Sequence, residues 1–573
     1  MKKLIRNLVI AGATATIFAA SASAQLMVQG VGSSALFQSA SLAAFQLAGA
    51  GAGHYTASNG GAILDTRAPT TLPIPNELGT LSVVWNAAMT QAWTYLSVDS
   101  VVGNRAYFAQ PRTTLQLAAP LPAAGQKIST ALWGADAATI PAAVITLINN
   151  MPFNAAYTDI LPADAKFAQN RVNCGTATTA VLGCLGYGTA DPNVGTAIQS
   201  HFSAAVAHPV NFNIFGSDPI TGNAIPSYTV VPVGVAPIIF IANRTNAAGL
   251  GQTALFSDIT FEATAQLLFT GIDCAGSAWG AYDAAHTFAV NPIQREPLSG
   301  TMNTFEFNIM VLDGQGSTAN GWFSQEGFLF SPFFVPSTFN ANQPATNNPL
   351  NGACATASNG YASFPQGNRM RAIGTGEMVS SVKATADSIG YLFFGYGNVS
   401  SIAASASYGY LTYQTVDPIN PSGSYATPFS SGGLVYPGGG QLPSCTAPCP
   451  IAVNTSFPNL RTGGYRRWSV LRGVADTGSA ALTNLQAVAN TAANQINGTV
   501  PDFLPWNATT DGDNGMGIYR IHFAPGMTGT PVVNFNATNT PNNGITNPAL
   551  EAGGDVGGCL DFKAVPNDPP CRY

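Results

Sequence analysis

The stretch Arg295-Glu296-Pro297-Leu298-Ser299-Gly300-Thr301 sets a permanently charged side chain four residues ahead of Ser-Gly-Thr. The residues that follow, Met302, Phe305 and Ile309, fall at i, i+3 and i+7, which predicts a helix over 301–311 with Ser299 or Thr301 as its N-cap. Phe305, Phe307 and Ile309 also alternate, so a strand fits the same residues. A helix start leaves backbone amides without partners and carries a partial positive charge, so Ser299, Gly300 and Thr301 can turn amides and hydroxyls toward an oxyanion. Arg295 adds a forked donor matched to tetrahedral oxygens.

Working outward, other segments carry compatible chemistry. Gly30-Val31-Gly32-Ser33-Ser34-Ala35 follows a short apolar run and heads a helical pattern. Asn154-Ala155-Ala156-Tyr157-Thr158-Asp159 ends on a carboxylate. Tyr228 to Arg244 is a long apolar run, Phe256 to Trp279 joins a helical pattern to Gly and Trp, and Gly374 to Gly397 reads Gly-x-Gly, helix, Ser-Ile-Gly-Tyr, strand. Together with Arg295 to Thr301, these six segments in this order resemble the substrate-binding proteins of high-affinity phosphate ABC transporters. A second serine loop of that family is matched here by Tyr95 to Gly103, with Ser100 as the hydroxyl.

The resemblance implies an α/β chain with a two-lobed, periplasmic-binding-protein-like (type II) fold. Each lobe would be a mixed, mainly parallel sheet flanked by helices, with a ligand cleft between the lobes. The implied ligand set is the Ser34 hydroxyl, the Ala35 amide, Ser100, Asp159, Arg295, Ser299, Gly300 and Thr301. Asp159 would accept the proton of hydrogen phosphate, an acceptor that deprotonated sulfate leaves unpaired. The implied partners are a phosphate ion and a membrane ABC permease; the protein is expected to be monomeric, with no cofactor, no metal and no enzymatic turnover. One departure bears on anion contact: the family has Asp two residues after the arginine, where this chain has Pro297. The chain is also long for the family, so regions near 38–90, 110–150, 160–225, 311–368 and 400–460 read as insertions or expanded loops.

The implied organisation is a leader over 1–24, a first lobe over 25–240, a second over 241–430, and a return to lobe one with a C-terminal extension over 431–573. Lys2, Lys3 and Arg6, an apolar Leu8–Ala20 stretch and Ala22-Ser23-Ala24 before Gln25 have the form of a secretory signal peptide. With no cysteine at that cleavage site, the expectation is a periplasmic or secreted protein without a lipid anchor.

Composition bounds the remaining classes. The 573 residues are 46% hydrophobic, ample for two cores. Charged residues are 8%, against roughly 25% in ordinary soluble domains, so Asn, Thr, Ser, Gln and Gly must build the surface. The formal charge of -6, about -9 without the leader, argues against a general nucleic-acid surface. Eight cysteines in an exported chain suggest disulfides, and neighbour-biased pairing gives Cys174/Cys184, Cys274/Cys354, Cys445/Cys449 and Cys559/Cys571, one of 105 connectivities.

Further helices are expected at 33–48, 261–270, 376–385 and 477–495, and strands at 226–242, 388–394, 467–472 and 517–523. Long surface loops are expected at 337–360 and 416–450. Arg466, Arg467 and Arg472 around Trp468 read as a solvated strand edge. Asp511 to Gly515 reads as a turn, because its glycine falls one position early for a calcium loop. The five histidines show no metal-hydrolase spacing. A secreted or surface-associated protein using the same fold for attachment or another ligand is the alternative function; a phosphate-ester hydrolase would need a nucleophile and metals that no motif supplies.

Overall fold

A single strand organises the molecule. In the computed structural model, β7 (Tyr228–Asn243) runs sixteen residues and is buried along almost its whole length, as its near-continuous Val, Ile and Phe content requires. Its first ten residues pair antiparallel with β13 (Trp468–Asp476), and its last six pair antiparallel with β11 (Ser388–Phe393). Proline cannot donate to a ladder, and both central prolines of β7 sit where the ladder is interrupted. Pro232 lies at a bulge, where the register shifts between Leu471 and Arg472. Pro237 lies where β7 exchanges β13 for β11, and its carbonyl accepts from Phe394 N at 2.8 Å.

On either side of this exchange stands a parallel trio, and the strands and helices grouped with each trio are termed lobe one and lobe two. In lobe one, β1 (Gln25–Ser33) lies between β4 (Gln91–Val98) and β6 (Ala155–Thr158). In lobe two, β9 (Asn291–Arg295) lies between β10 (Met370–Ala372) and β11. Antiparallel strands complete a mixed sheet of fourteen among the described residues, so the architecture is α/β. The structure describes residues 25–64, 77–117, 127–128, 130–149, 151–162, 165, 212–246, 258–259, 291–295, 299–305, 370–372, 374–395, 408–413, 417–418, 465, 467–496, 503–505, 517–519, 522–525, 531–534 and 559–561.

Helices cover the sheet, at 37–48, 374–384 and 480–496 where the apolar periodicity predicts them, and at 100–108, 130–133 and 142–148 where no helix is expected. After a 3-10 turn at Ser34–Leu36, α1 (Phe37–Ala48) follows β1, and α2 (Ser100–Phe108) follows β4. Two short helices, α3 (Thr130–Trp133) and α4 (Ala142–Ile148), precede β6. In lobe two, α5 (Gly300–Phe305) follows β9 and α6 (Gly374–Ala384) follows β10. The last helix, α7 (Ala480–Ile496), is capped by Ser479 Oγ, which accepts from Leu482 N at 3.1 Å, and it buries Leu485, Val488, Ala489 and Ala492. Each large apolar side chain buried in this way is worth about 1.5–3 kcal/mol.

Several expectations need correction. The region 38–90, taken as an insertion, supplies, beyond the expected α1, a long hairpin, β2 (Gly53–Leu64) and β3 (Glu77–Trp85), and the hairpin extends the main sheet through β3–β4 pairing. Within 110–150, β5 (Thr114–Gln116) adds a further strand beside β2. Arg467 and Arg472 are not on a solvated edge: β13 is interior, flanked by β7 and β6, and Arg472 is 0% exposed. Arg467 lies 5.0 Å over the Tyr413 ring, and Arg472 Nη1 donates to Val470 O at 2.7 Å, so aromatic faces and carbonyls replace water around these cations. The strand expected at 517–523 is two strands with different partners, Gly517–Tyr519 against Cys559–Asp561 and His522–Pro525 against Pro531–Asn534.

Residues 1–24, the helix at 261–270, the loop at 337–360, Arg466, the Asp511 to Gly515 turn and the cysteine side chains lie outside the described residues. Among the described residues, no helix is long and apolar enough to cross a membrane, and no group of three or more His, Cys, Asp or Glu is placed to hold a metal ion.

Candidate functional site

Both parallel trios end at the same place. The carboxyl ends of β1, β4 and β6 deliver Ser34, Asp99, Ser100 and Asp159, and those of β9 and β10 deliver Arg295, Ser299 to Thr301, and Thr375. Ligands of open α/β sheets bind outside the carboxyl ends of strands, because helix starts and turning loops gather there.

Close approach at this point is built from glycine. Gly32 adopts φ +135°, a backbone region that side chains rarely occupy, and a Cβ on it would strike the Tyr157 carbonyl. A Cβ on Gly300 would strike Asp159 Oδ1 and approach Ser100 Oγ at 2.6 Å. The first residue of α5 is therefore seated directly on the lobe-one carboxylate.

The polar groups form one connected chain. Asp99 Oδ1 accepts from Arg295 Nη2 at 3.3 Å, and Arg295 Nη1 donates to Thr301 Oγ1 at 3.1 Å. Thr301 Oγ1 in turn donates to Asp159 Oδ2 at 3.3 Å, while Ser100 Oγ donates to Asp159 Oδ1 and accepts from Asp159 N at 3.2 Å. At one side of this chain, the Ser34 and Thr375 hydroxyls share a hydrogen bond of 2.8 Å, again between the lobes.

The environment is dry. Arg295 is 1% exposed and Asp159 2% exposed, so each charge depends on its partners for compensation. Burial pushes the Asp159 carboxyl above its ordinary value of 3.8, opposed by the Ser100 hydrogen bond and then by the Arg295 charge. The support beneath is closely packed and hydrogen-bonded. Arg295 N donates to the Tyr391 hydroxyl at 3.3 Å, and the Tyr391 ring stacks on Phe305 with centroids 3.7 Å apart. Ser469 Oγ, from β13, donates to the Asp159 carbonyl at 2.6 Å. Tyr95 donates to the Ser33 carbonyl and packs on Tyr157 at 4.3 Å.

Of the residues singled out in the sequence, Ser100, Asp159, Arg295, Gly300 and Thr301 meet directly. Ser299 acts as the cap of α5, its hydroxyl accepting from Met302 N at 3.3 Å. The Ala35 amide donates to Ser33 Oγ at 3.1 Å, and the hydroxyl that reaches across from this loop belongs to Ser34. Two residues were missed. Asp99 immediately precedes the Ser100 that the serine loop singled out, and Thr375 lies in the Gly-x-Gly opening of α6, where a hydroxyl at a helix start was a usable signal.

No protein-family model matches the chain, and no curated protein is similar to it in sequence. Solved structures that the chain matches include a human phosphate binding apolipoprotein, at 11% identity and TM-score 0.31, covering 84% of this chain and 93% of that one. A phosphate-binding protein from Stenotrophomonas maltophilia matches at 10% identity and TM-score 0.30, covering 73% of this chain and 85% of that one. An ABC-type phosphate transport receptor from Vibrio cholerae matches at 9% identity and TM-score 0.23, covering 49% of this chain and 75% of that one. At these identities and TM-scores, the chemistry of the site has to be read from its own residues.

Proposed function

We propose that this chain captures a tetrahedral oxyanion, with inorganic phosphate as the preferred ligand, between the strand ends of its two lobes. The observation that carries this reading is the buried relay Arg295, Thr301, Asp159, Ser100, which sets a guanidinium, two hydroxyls and a carboxylate from two lobes within hydrogen-bond reach of one another. Removing an oxyanion from water is costly unless fixed donors replace its hydration, and this set supplies charge-assisted ones. Arg295, Ser34, Ser100, Ser299, Thr301 and the amide at Gly300 are the proposed donors; the Ala35 amide, expected among them, is taken by Ser33 Oγ.

Asp159 gives the set its selectivity. A carboxylate beside an oxyanion repels it unless a proton lies between them, so hydrogen phosphate satisfies Asp159 and sulfate does not. The role is capture without covalent chemistry, and the proposed destination of the ligand is a membrane ABC permease.

Titration calorimetry of phosphate-stripped protein against phosphate and sulfate tests the reading. Phosphate should bind, sulfate should bind far more weakly, and Arg295→Ala should reduce phosphate affinity at least about a hundredfold, since it removes a buried charged partner. Absence of heat with both anions in the folded protein would overturn the reading and favour the secreted, surface-associated alternative.

A further inference from the structure

Asp99 occupies the N-cap position of α2, with extended backbone at φ -95° and ψ 158°, yet its side chain makes no capping hydrogen bond. An aspartate at that position ordinarily turns back to the amides of its own helix. Here the carboxylate reaches into the other lobe and accepts from Arg295 Nη2 at 3.3 Å, with side-chain exposures of 4% for Asp99 and 1% for Arg295. The ion pair is therefore buried, directional and formed between lobes.

We infer that Asp99 is a positioning and specificity-determining residue, which orients Arg295 from the opposite lobe and, as a fixed negative charge, sets how tightly the site takes any oxyanion. This inference rests on the oxyanion reading above. The geometry carries both halves of it. Arg295 is held at two of its nitrogens, by Thr301 from its own lobe and by Asp99 from the other, which fixes the plane of the guanidinium. The same carboxylate is an anion already bound to the cation that a ligand would use, and its repulsion toward a ligand acts through a dry site where charges are weakly screened. Asp159 discriminates by whether the ligand carries a proton, whereas Asp99 touches the arginine and acts on every oxyanion alike.

The test pairs two variants against two anions. Asp99→Asn keeps an acceptor oxygen for Arg295 and removes the charge, whereas Asp99→Ala removes both. Calorimetry with phosphate and with sulfate should show Asp99→Asn binding each anion about tenfold more tightly than the unmodified protein, with their ratio unchanged. Asp99→Ala should bind both more weakly than Asp99→Asn, because the guanidinium has lost its orienting partner. A merely structural Asp99 would give equal or weaker binding in Asp99→Asn, and that result overturns the inference while leaving the oxyanion reading intact. A changed phosphate-to-sulfate ratio overturns it too, since Asp99 would then be reading the ligand proton. Equal affinities in the two variants overturn the positioning half. If the unmodified protein binds neither anion, both readings fall together.

Discussion

The two lobes bring opposite chemistry to the place where they meet. Lobe one contributes two buried carboxylates, Asp99 and Asp159, with the hydroxyls of Ser34 and Ser100, and lobe two contributes the one buried guanidinium of the relay, with Ser299, Thr301 and Thr375. Neither face is complete as an anion site. A lobe-two face alone would attract any oxyanion by charge, and a lobe-one face alone would repel most of them. On the proposed reading, attraction and discrimination sit on separate pieces of chain, so that a ligand would meet both tests only when it bridges them.

The sharpest way to break the comparison is to wedge the faces apart. In Gly300→Ala the new Cβ collides with Asp159 Oδ1. Either α5 or the β6 end must shift, and phosphate affinity should fall by a factor of about a hundred, in line with the cost of misplacing a binding group by an ångström. A melting curve alongside the titration shows whether each lobe still folds. An affinity within twofold of the unmodified protein would show that the faces need not touch.

A second change strips discrimination from lobe one and leaves attraction in place. Asp159→Asn should narrow the gap between phosphate and sulfate by about tenfold, because an amide can donate to a fully deprotonated oxyanion. The same variant makes a statement about stability. Burial raises the Asp159 carboxyl above 3.8, so the folded chain holds that proton more tightly than the unfolded chain. The stabilising contribution is fully present below 3.8 and is lost as pH rises through the raised value, which leaves a cost at neutral pH. Asp159→Asn should therefore melt a few degrees higher than the unmodified protein at pH 7, with the advantage disappearing on acidification. A lower melting temperature at pH 7 would mean that the bonds to Ser100 and Thr301 outweigh the burial of charge.

The smallest effect is expected at the margin of the interface. Thr375→Val removes the hydroxyl paired with Ser34 and keeps the side-chain shape, so stability should drop by about 1 kcal/mol and phosphate affinity by a fewfold. A hundredfold loss would move Thr375 into the group that contacts ligand.

Much of this arrangement could be read from the sequence, and what could not has a common cause. The helices at 37–48, 374–384 and 480–496 and the strands β7, β11 and β13 follow from local periodicity, which is short-range information. Arg295, Ser299 and Thr301 were legible because an arginine ahead of a capped helix start is a local pattern. Asp99 was not, since its partner lies 196 residues away and its sequence position looks like an ordinary cap. The burial of Arg472 was hidden for a similar reason: an arginine in a strand reads as solvent-facing until the neighbours on both sides of β13 are known. The hairpin of β2 and β3 was read as an insertion because its glycine-rich sequence carries no alternation strong enough to announce a place in the sheet.

The two prolines of β7 have a mechanical consequence. Sixteen residues of extended chain make a beam of about 50 Å, anchored in one lobe at Tyr228 and in the other at Asn243. Such a beam is stiff wherever hydrogen bonds brace it from the side and compliant where one is missing. Pro237 removes a donor at the point where the bracing passes from β13 to β11, so any bending between the two ends of β7 is expected to concentrate there, inside a core that is continuous on both sides of it.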